Sequence, residues 1–309
     1  MTDVKTHCGF ATIIGAPNAG KSTLINAIVG EKVSIVSSKV QTTRTRVLGI
    51  TIHDNTQVIF VDTPGLFKPG NDRLEKAIVS AAWQGVSDAD LVIFVVDAHK
   101  GCSRPVRTIV ERLKAVTGKR YILVLNKIDS LARAKLMELT MTMNKAMEFE
   151  ATFMISALKN DGVKDLVNYV AKQMPESPFH YPEDQMSDMP MRLLAAEITR
   201  EKLFRAIHDE IPYDITVETE TWEDFEDGSV KIDQVIYVAR EGQKKIVLGK
   251  GGDMIGEIGT KARIELEEIL GHRAHLKLFV KVRENWGDDP ERYAVWGLDH
   301  AEDSSSEKF

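Results

Sequence analysis

Gly15-Ala16-Pro17-Asn18-Ala19-Gly20-Lys21-Ser22 is the stretch that decides the fold. It has the form GxxxxGK[ST]. Cys8–Ile14 before it reads as a buried strand, and Thr23–Val29 after it reads as a helix stopped by Gly30. Strand, glycine loop and helix together make a cradle for phosphate. Glycines let backbone N–H groups converge on one anion, and the helix N-terminus adds its partial positive charge. Lys21 is placed to reach β- and γ-phosphates, and the Ser22 hydroxyl to hold Mg²⁺.

Working outward, residues 1–174 alternate short β runs with helical stretches. Strands are expected at Val47–His53, Gln57–Asp62, Leu91–Asp97, Tyr121–Asn126 and Thr152–Ile155, after the first at Cys8–Ile14. The second and third are close enough for an antiparallel hairpin. Apolar residues at helical spacing mark Arg73–Trp83, Arg104–Ala115, Ala132–Met147 and Val163–Met174 between the others, which are therefore expected to be parallel. The expected first domain is an α/β fold, a mostly parallel six-stranded sheet with helices on both faces.

Residues 175–190 hold Pro175, Pro178, Pro182 and Pro190 among acids, and are expected to form a linker. From 191 to 309 the order is α-β-β-α-α-β: Met191–His208, Asp214–Phe225, Val230–Glu241, Lys244–Leu248, Met254–Leu270 and Ala274–Glu284. The formal charge of −6 does not advertise a polyanion partner. That total hides an asymmetry: residues 190–309 carry 17 Lys and Arg against 26 Asp and Glu, whereas 240–283 carry 10 against 6. Two cysteines, Cys8 and Cys102, make no disulfide framework and fit a reducing cytosol. The longest apolar run, Leu91–Val96, is too short to span a bilayer.

Three more stretches sit at strand ends. Asp62-Thr63-Pro64-Gly65 puts an acid near the Mg²⁺ shell and a free Gly65 N–H near a γ-phosphate. In Asn126-Lys127-Ile128-Asp129, the Asp129 carboxylate suits the ring N–H and exocyclic amine of guanine, while Asn126 and Lys127 brace the loops. Ser156-Ala157-Leu158 offers a backbone N–H to the guanine oxygen. In this order and spacing the four motifs resemble the translation-factor-related P-loop GTPases. The resemblance implies binding of GTP and GDP with Mg²⁺. It also makes Gln41-Thr42-Thr43-Arg44 the first switch loop, with Thr43, or else Thr42, as metal ligand. Leu66 stands where Ras-like proteins place a water-orienting glutamine, so slow hydrolysis or another group is expected. Asn18 is either a turn former or, as in related GTPases, the residue that holds a K⁺ ion in place of an arginine finger.

In the second domain, Gly249-Lys250-Gly251-Gly252 resembles the GxxG loop of type II (bacterial-type) KH domains, which clamps a nucleic-acid backbone. Lys244, Lys245, Lys250, Lys261 and Arg263 are expected around it, with Val247, Ile255 and Ile258 lining a base groove. Gly251 adds a glycine that would loosen the clamp. Gly256-Glu257-Ile258-Gly259 fits the same pattern but reads as helix. A GTPase domain followed by a KH-like domain resembles a family of bacterial ribosome-assembly GTPases. It implies a monomer that binds the 3′ end of small-subunit ribosomal RNA and the small ribosomal subunit. It also implies a cytoplasmic protein, peripheral on the inner membrane. Competing expectations are an RNA-binding protein with a vestigial GTPase domain, and a GTPase whose KH-like domain serves a membrane or tRNA-related protein partner.

Overall fold

The computed structural model describes residues 5–37, 39, 46–67, 73–207, 215–284 and 286. The chain divides into two units, the first running to Asp188 and the second beginning at Met189.

In the first unit six strands form one sheet: β1 (His7–Gly15), β2 (Val47–His53), β3 (Thr56–Asp62), β4 (Leu91–Asp97), β5 (Tyr121–Asn126) and β6 (Ala151–Ile155). Their order is β2-β3-β1-β4-β5-β6, with only the β2–β3 pair antiparallel. That pair is a hairpin whose two-residue turn puts Asp54 at φ 52. β4 and β5 are buried along their whole length, as an unbroken apolar run demands when both faces are covered. The helices are α1 (Lys21–Val29), α2 (Arg73–Asp88), α3 (Arg104–Lys114), α4 (Arg133–Ala146) and α5 (Val163–Ala171). One core cluster joins Ile14, Phe94 and Leu123 to Val110 and Met143 from the helices. All site loops leave the C-terminal ends of parallel strands, where such sheets open a crevice.

The stretch expected to be a linker is fastened to this unit as far as Asp188. Cys8 N–H donates to Pro175 O, and Ile50 N–H donates to Met186 O at 2.8 Å on β2, the sheet edge. Gln57, fully buried, accepts from the His180 and Tyr181 N–H groups and donates to Tyr181 O. Phe179 and Tyr181 pack on Cys8, Leu48 and Ile50. Proline stops helices here, but the freed backbone groups find partners on the sheet.

The second unit holds α6 (Met191–Ala206), β7 (Ile215–Asp224), β8 (Val230–Val238), α7 (Glu241–Leu248), α8 (Asp253–Leu270) and β9 (Ala274–Val282). β7 and β8 are antiparallel, and β8 and β9 parallel. The helices cover one face, through Leu203, Val247 and Ile258 at one end and Ile198 and Leu266 at the other. Among the described residues, no helix is long and apolar enough to cross a membrane.

Candidate nucleotide and nucleic-acid sites

The phosphate loop is shaped by contacts that exclude side chains. A Cβ on Gly15 would stand 2.3 Å from Val95 O, and one on Gly20, at φ +94, 2.3 Å from Asn126 Nδ2. Lys21 is only 6% exposed, and its Nζ donates to Gly15 O (3.2 Å) and Ala16 O (3.3 Å). Burial pushes its ammonium down to about 8, against an opposing pull from Asp62. A triphosphate beside Lys21 restores the charged form, so binding above pH 8 takes up a proton. Affinity should therefore fall about fourfold between pH 7 and 8.5, with little change below pH 7. Titration calorimetry in buffers of different ionisation enthalpy measures that proton directly; a buffer-independent heat at the upper pH would refute it.

Ser22 Oγ donates to Asp62 Oδ2 at 2.8 Å, and Ser34 Oγ donates to the same oxygen at 3.0 Å. Asn26 holds Ser34 in place through its backbone N–H and carbonyl. Hydroxyl and carboxylate are hard oxygen donors, and this set fits Mg²⁺ completed by phosphate oxygens and water. Thr42 and Thr43, with the rest of the expected first switch loop, lie outside the described residues.

The base end is tied to the phosphate end. Asn126 Nδ2 donates to Ala19 O (2.9 Å), and Lys127 Nζ donates to Asn18 O (2.6 Å) and Asp97 Oδ2 (2.8 Å). Ser156 Oγ donates to Asp129 Oδ1 at 2.9 Å. That bond, first among several causes that include Lys159, holds the Asp129 carboxyl below its usual range, so it is an ionised acceptor. Ala157 N–H donates to Asn126 Oδ1 at 3.0 Å, so a guanine oxygen must share that donor. Ile128 is half-buried beside it, while Leu158 is exposed. At the phosphate end lies a cavity of about 470 Å³ lined by Asn18, Ser22 and four lysines, Lys21, Lys39, Lys100 and Lys127.

Thr63 Oγ1 donates to Ile13 O, which fixes the Asp62–Gly65 turn; a Cβ on Gly65 would meet Pro17 at 3.0 Å. Leu66, expected among the nucleotide contacts, instead turns its side chain into the core and donates its N–H to Gly15 O. An apolar side chain gains more from burial than from a polar cavity.

In the second unit Gly249 (φ 72), Gly251 (φ 67) and Gly252 (φ 91) all adopt left-handed φ. The extra glycine thus serves the conformation of the loop between α7 and α8. Lys244, Lys245 and Lys250 sit on α7 and the loop itself. Lys261 pairs with Glu257 on α8. Arg263 is not at the loop: it pairs with Glu267 and lines a hollow with Arg273 at the other end of α8. Val247 and Ile258 are core rather than groove, and Gly256–Gly259 is helix. Asp97, Ser34, Lys39 and Lys100 join the site without belonging to any of its motifs; Asp97 alone carries a sequence signal, as an acid at a strand end.

Fold and site together define a P-loop guanine-nucleotide protein joined to a KH domain. The profile described as "50S ribosome-binding GTPase" matches residues 10–127, and "KH domain" matches 210–287. GTPase Era of Sinorhizobium medicae is 58% identical over 96% of this chain and 95% of its own. GTPase Era of Mesorhizobium japonicum is 55% identical over 97% and 98%. A crystal structure of Era in complex with MgGDPNP and nucleotides 1506–1542 of 16S ribosomal RNA is 39% identical, with TM-score 0.89, over 94% of this chain and 99% of that one. Aquifex aeolicus Era bound to GDP·AlF4⁻ matches at 38% and TM-score 0.89, over the same shares. The chain belongs to the Era family of GTPases.

Proposed function

We infer that this chain is a GTP-binding, slowly GTP-hydrolysing switch that binds the 3′ end of small-subunit ribosomal RNA and assists assembly of the small subunit. The observation that carries this reading is one chain holding both a braced guanine-nucleotide site and a glycine loop between two KH helices. The near full-length similarity to Era solved with MgGDPNP and 16S RNA supplies the ligands. GTP and ribosomal RNA as ligands put its work in the cytoplasm. Ser22 and Asp62, already joined by a hydrogen bond, would hold Mg²⁺, and Lys21, whose Nζ lies over the phosphate loop, would meet the phosphates. Mg²⁺ held there would neutralise phosphate charge.

Because Leu66 is buried, position 66 sends no polar side chain to an attacking water. Asn18, at φ 64, lines the cavity, and its amide oxygen is the group that would hold K⁺ there. Turnover of GTP should be faster in potassium than in sodium salts, and Asn18→Ala should erase the difference while GDP still binds. Equal rates in both salts would leave Asn18 as a turn residue; no turnover in either would refute the hydrolase.

A further inference from the structure

We propose that the outward face of β9 is a second RNA-binding strip, separate from the glycine loop, on which a single strand runs across Phe279 between basic side chains. The inference rests on the RNA-binding reading above and names a further subsite for that ligand. Along 273–283 every second residue is exposed: Arg273, His275, Lys277, Phe279, Lys281 and Arg283. The residues between them, such as Leu278 and Val280, pack against the helices, so the six share the face that the helices leave uncovered. Phe279 is 48% exposed at the middle of this row, an apolar ring with cations on both sides.

Beside the start of the row, at the β9 edge, is a hollow of about 370 Å³ lined by Arg273, Ala274, His275, Leu276 and Lys277 and by Arg263 of α8. The row's other end lies toward the glycine loop, because the start of α8 packs with Val280 and Val282 while Leu266 packs with Ala274. From Arg273 to Arg283 the strip spans roughly 33 Å, enough for several nucleotides. Cationic grooves with interleaved aromatic rings bind single strands through phosphate contacts and base stacking.

Charge selects the shape of the partner. Acids occupy the rest of the same sheet face: Glu218, Glu220 and Glu223 on β7, the opposite edge, and Asp233 on β8, in register with Lys277. Lys281 is paired with Glu220 and Lys231 with Glu223, while among the described residues Lys277 makes no ion pair. A flat anionic membrane would meet the acids of β7 and β8 together with the cations of β9. A narrow polyanion follows β9 alone.

The test uses the full chain with a GTP analogue and two oligonucleotides from the 3′ end of small-subunit ribosomal RNA. One is of about four nucleotides, the length a glycine-loop clamp holds, and one of roughly ten. Phe279→Ala should weaken the longer by about five- to a hundredfold and leave the shorter unchanged. Lys277→Gln, a surface change that leaves folding intact, should lower the salt slope for the longer by about 0.7. The strip is refuted if native protein binds both lengths equally, or if both variants bind the longer as native does. Loss of binding to vesicles of phosphatidylcholine and phosphatidylglycerol with RNA affinity intact would assign it to a membrane instead. Native protein that binds neither length would overturn the RNA reading itself.

Discussion

Asp129→Asn should lose GTP and gain xanthosine triphosphate. The carboxylate is exposed enough to meet a base and is fixed by Ser156 Oγ on one oxygen. Two acceptor oxygens suit the ring N–H and exocyclic amine of guanine. Asparagine keeps one acceptor and replaces the other with a donor. The donor opposes the guanine amine and suits the oxygen that xanthine carries there. Because a polar group left without its partner is costly, the reversal of preference should be large, on the order of 10³-fold or more. Ser156 still finds an acceptor on the amide, so the loop should hold its shape. Competition binding with the two triphosphates measures the effect. Native GTP affinity in the Asp129→Asn protein would remove Asp129 from base recognition.

The strand-end motifs are legible because each is a short local pattern whose chemistry needs fixed spacing. Gly15–Ser22, Asp62–Gly65 and Asn126–Asp129 fall at the ends of β1, β3 and β5, where the sheet topology brings them together. Asp97 carries only a bare signal, an acid at a strand end, because its partner, Lys127, comes from a different strand end and shares no motif with it. Ser34 reaches Asp62 only through the loop that Asn26 pins. The proline-rich stretch misleads for a related reason. Prolines say what the backbone does not form, not which surface it binds. The available clue is Gln57, a polar residue inside an apolar strand, whose amide is satisfied by His180 and Tyr181. Nearness in sequence puts Arg263 at the glycine loop, but about ten residues of helix carry it roughly 15 Å away.

Gly252→Asp should abolish tight RNA binding while basal GTP turnover persists. On the RNA-binding reading, the loop around Gly249–Gly252 would hold a phosphate through backbone N–H groups, as GxxG loops do, and a carboxylate there would meet that phosphate with like charge. Losing even one charge-assisted bond would cost about 1.5–3 kcal/mol, and repulsion adds to it. Gly249 is the wrong position for this test, because a Cβ there would lie 2.6 Å from Met254 Cβ and disturb the fold. Gly252 has open space but φ +91, so any side chain is strained. Gly252→Ala carries that strain without the charge and separates the two causes. The same titrations test whether nucleotide reaches the RNA site. Residues 41–44, expected to respond to the γ-phosphate, precede β2 in the chain, and β2 carries the 175–188 segment through Ile50 and Met186. RNA should therefore bind more tightly with a GTP analogue than with GDP, by about 1–3 kcal/mol, and should tighten GTP equally. Affinities must be compared at one salt concentration, since phosphate contacts are salt-sensitive. Equal losses in the Asp and Ala variants would make the loop a structural turn, and equal affinities with the two nucleotides would leave two uncoupled domains on one chain.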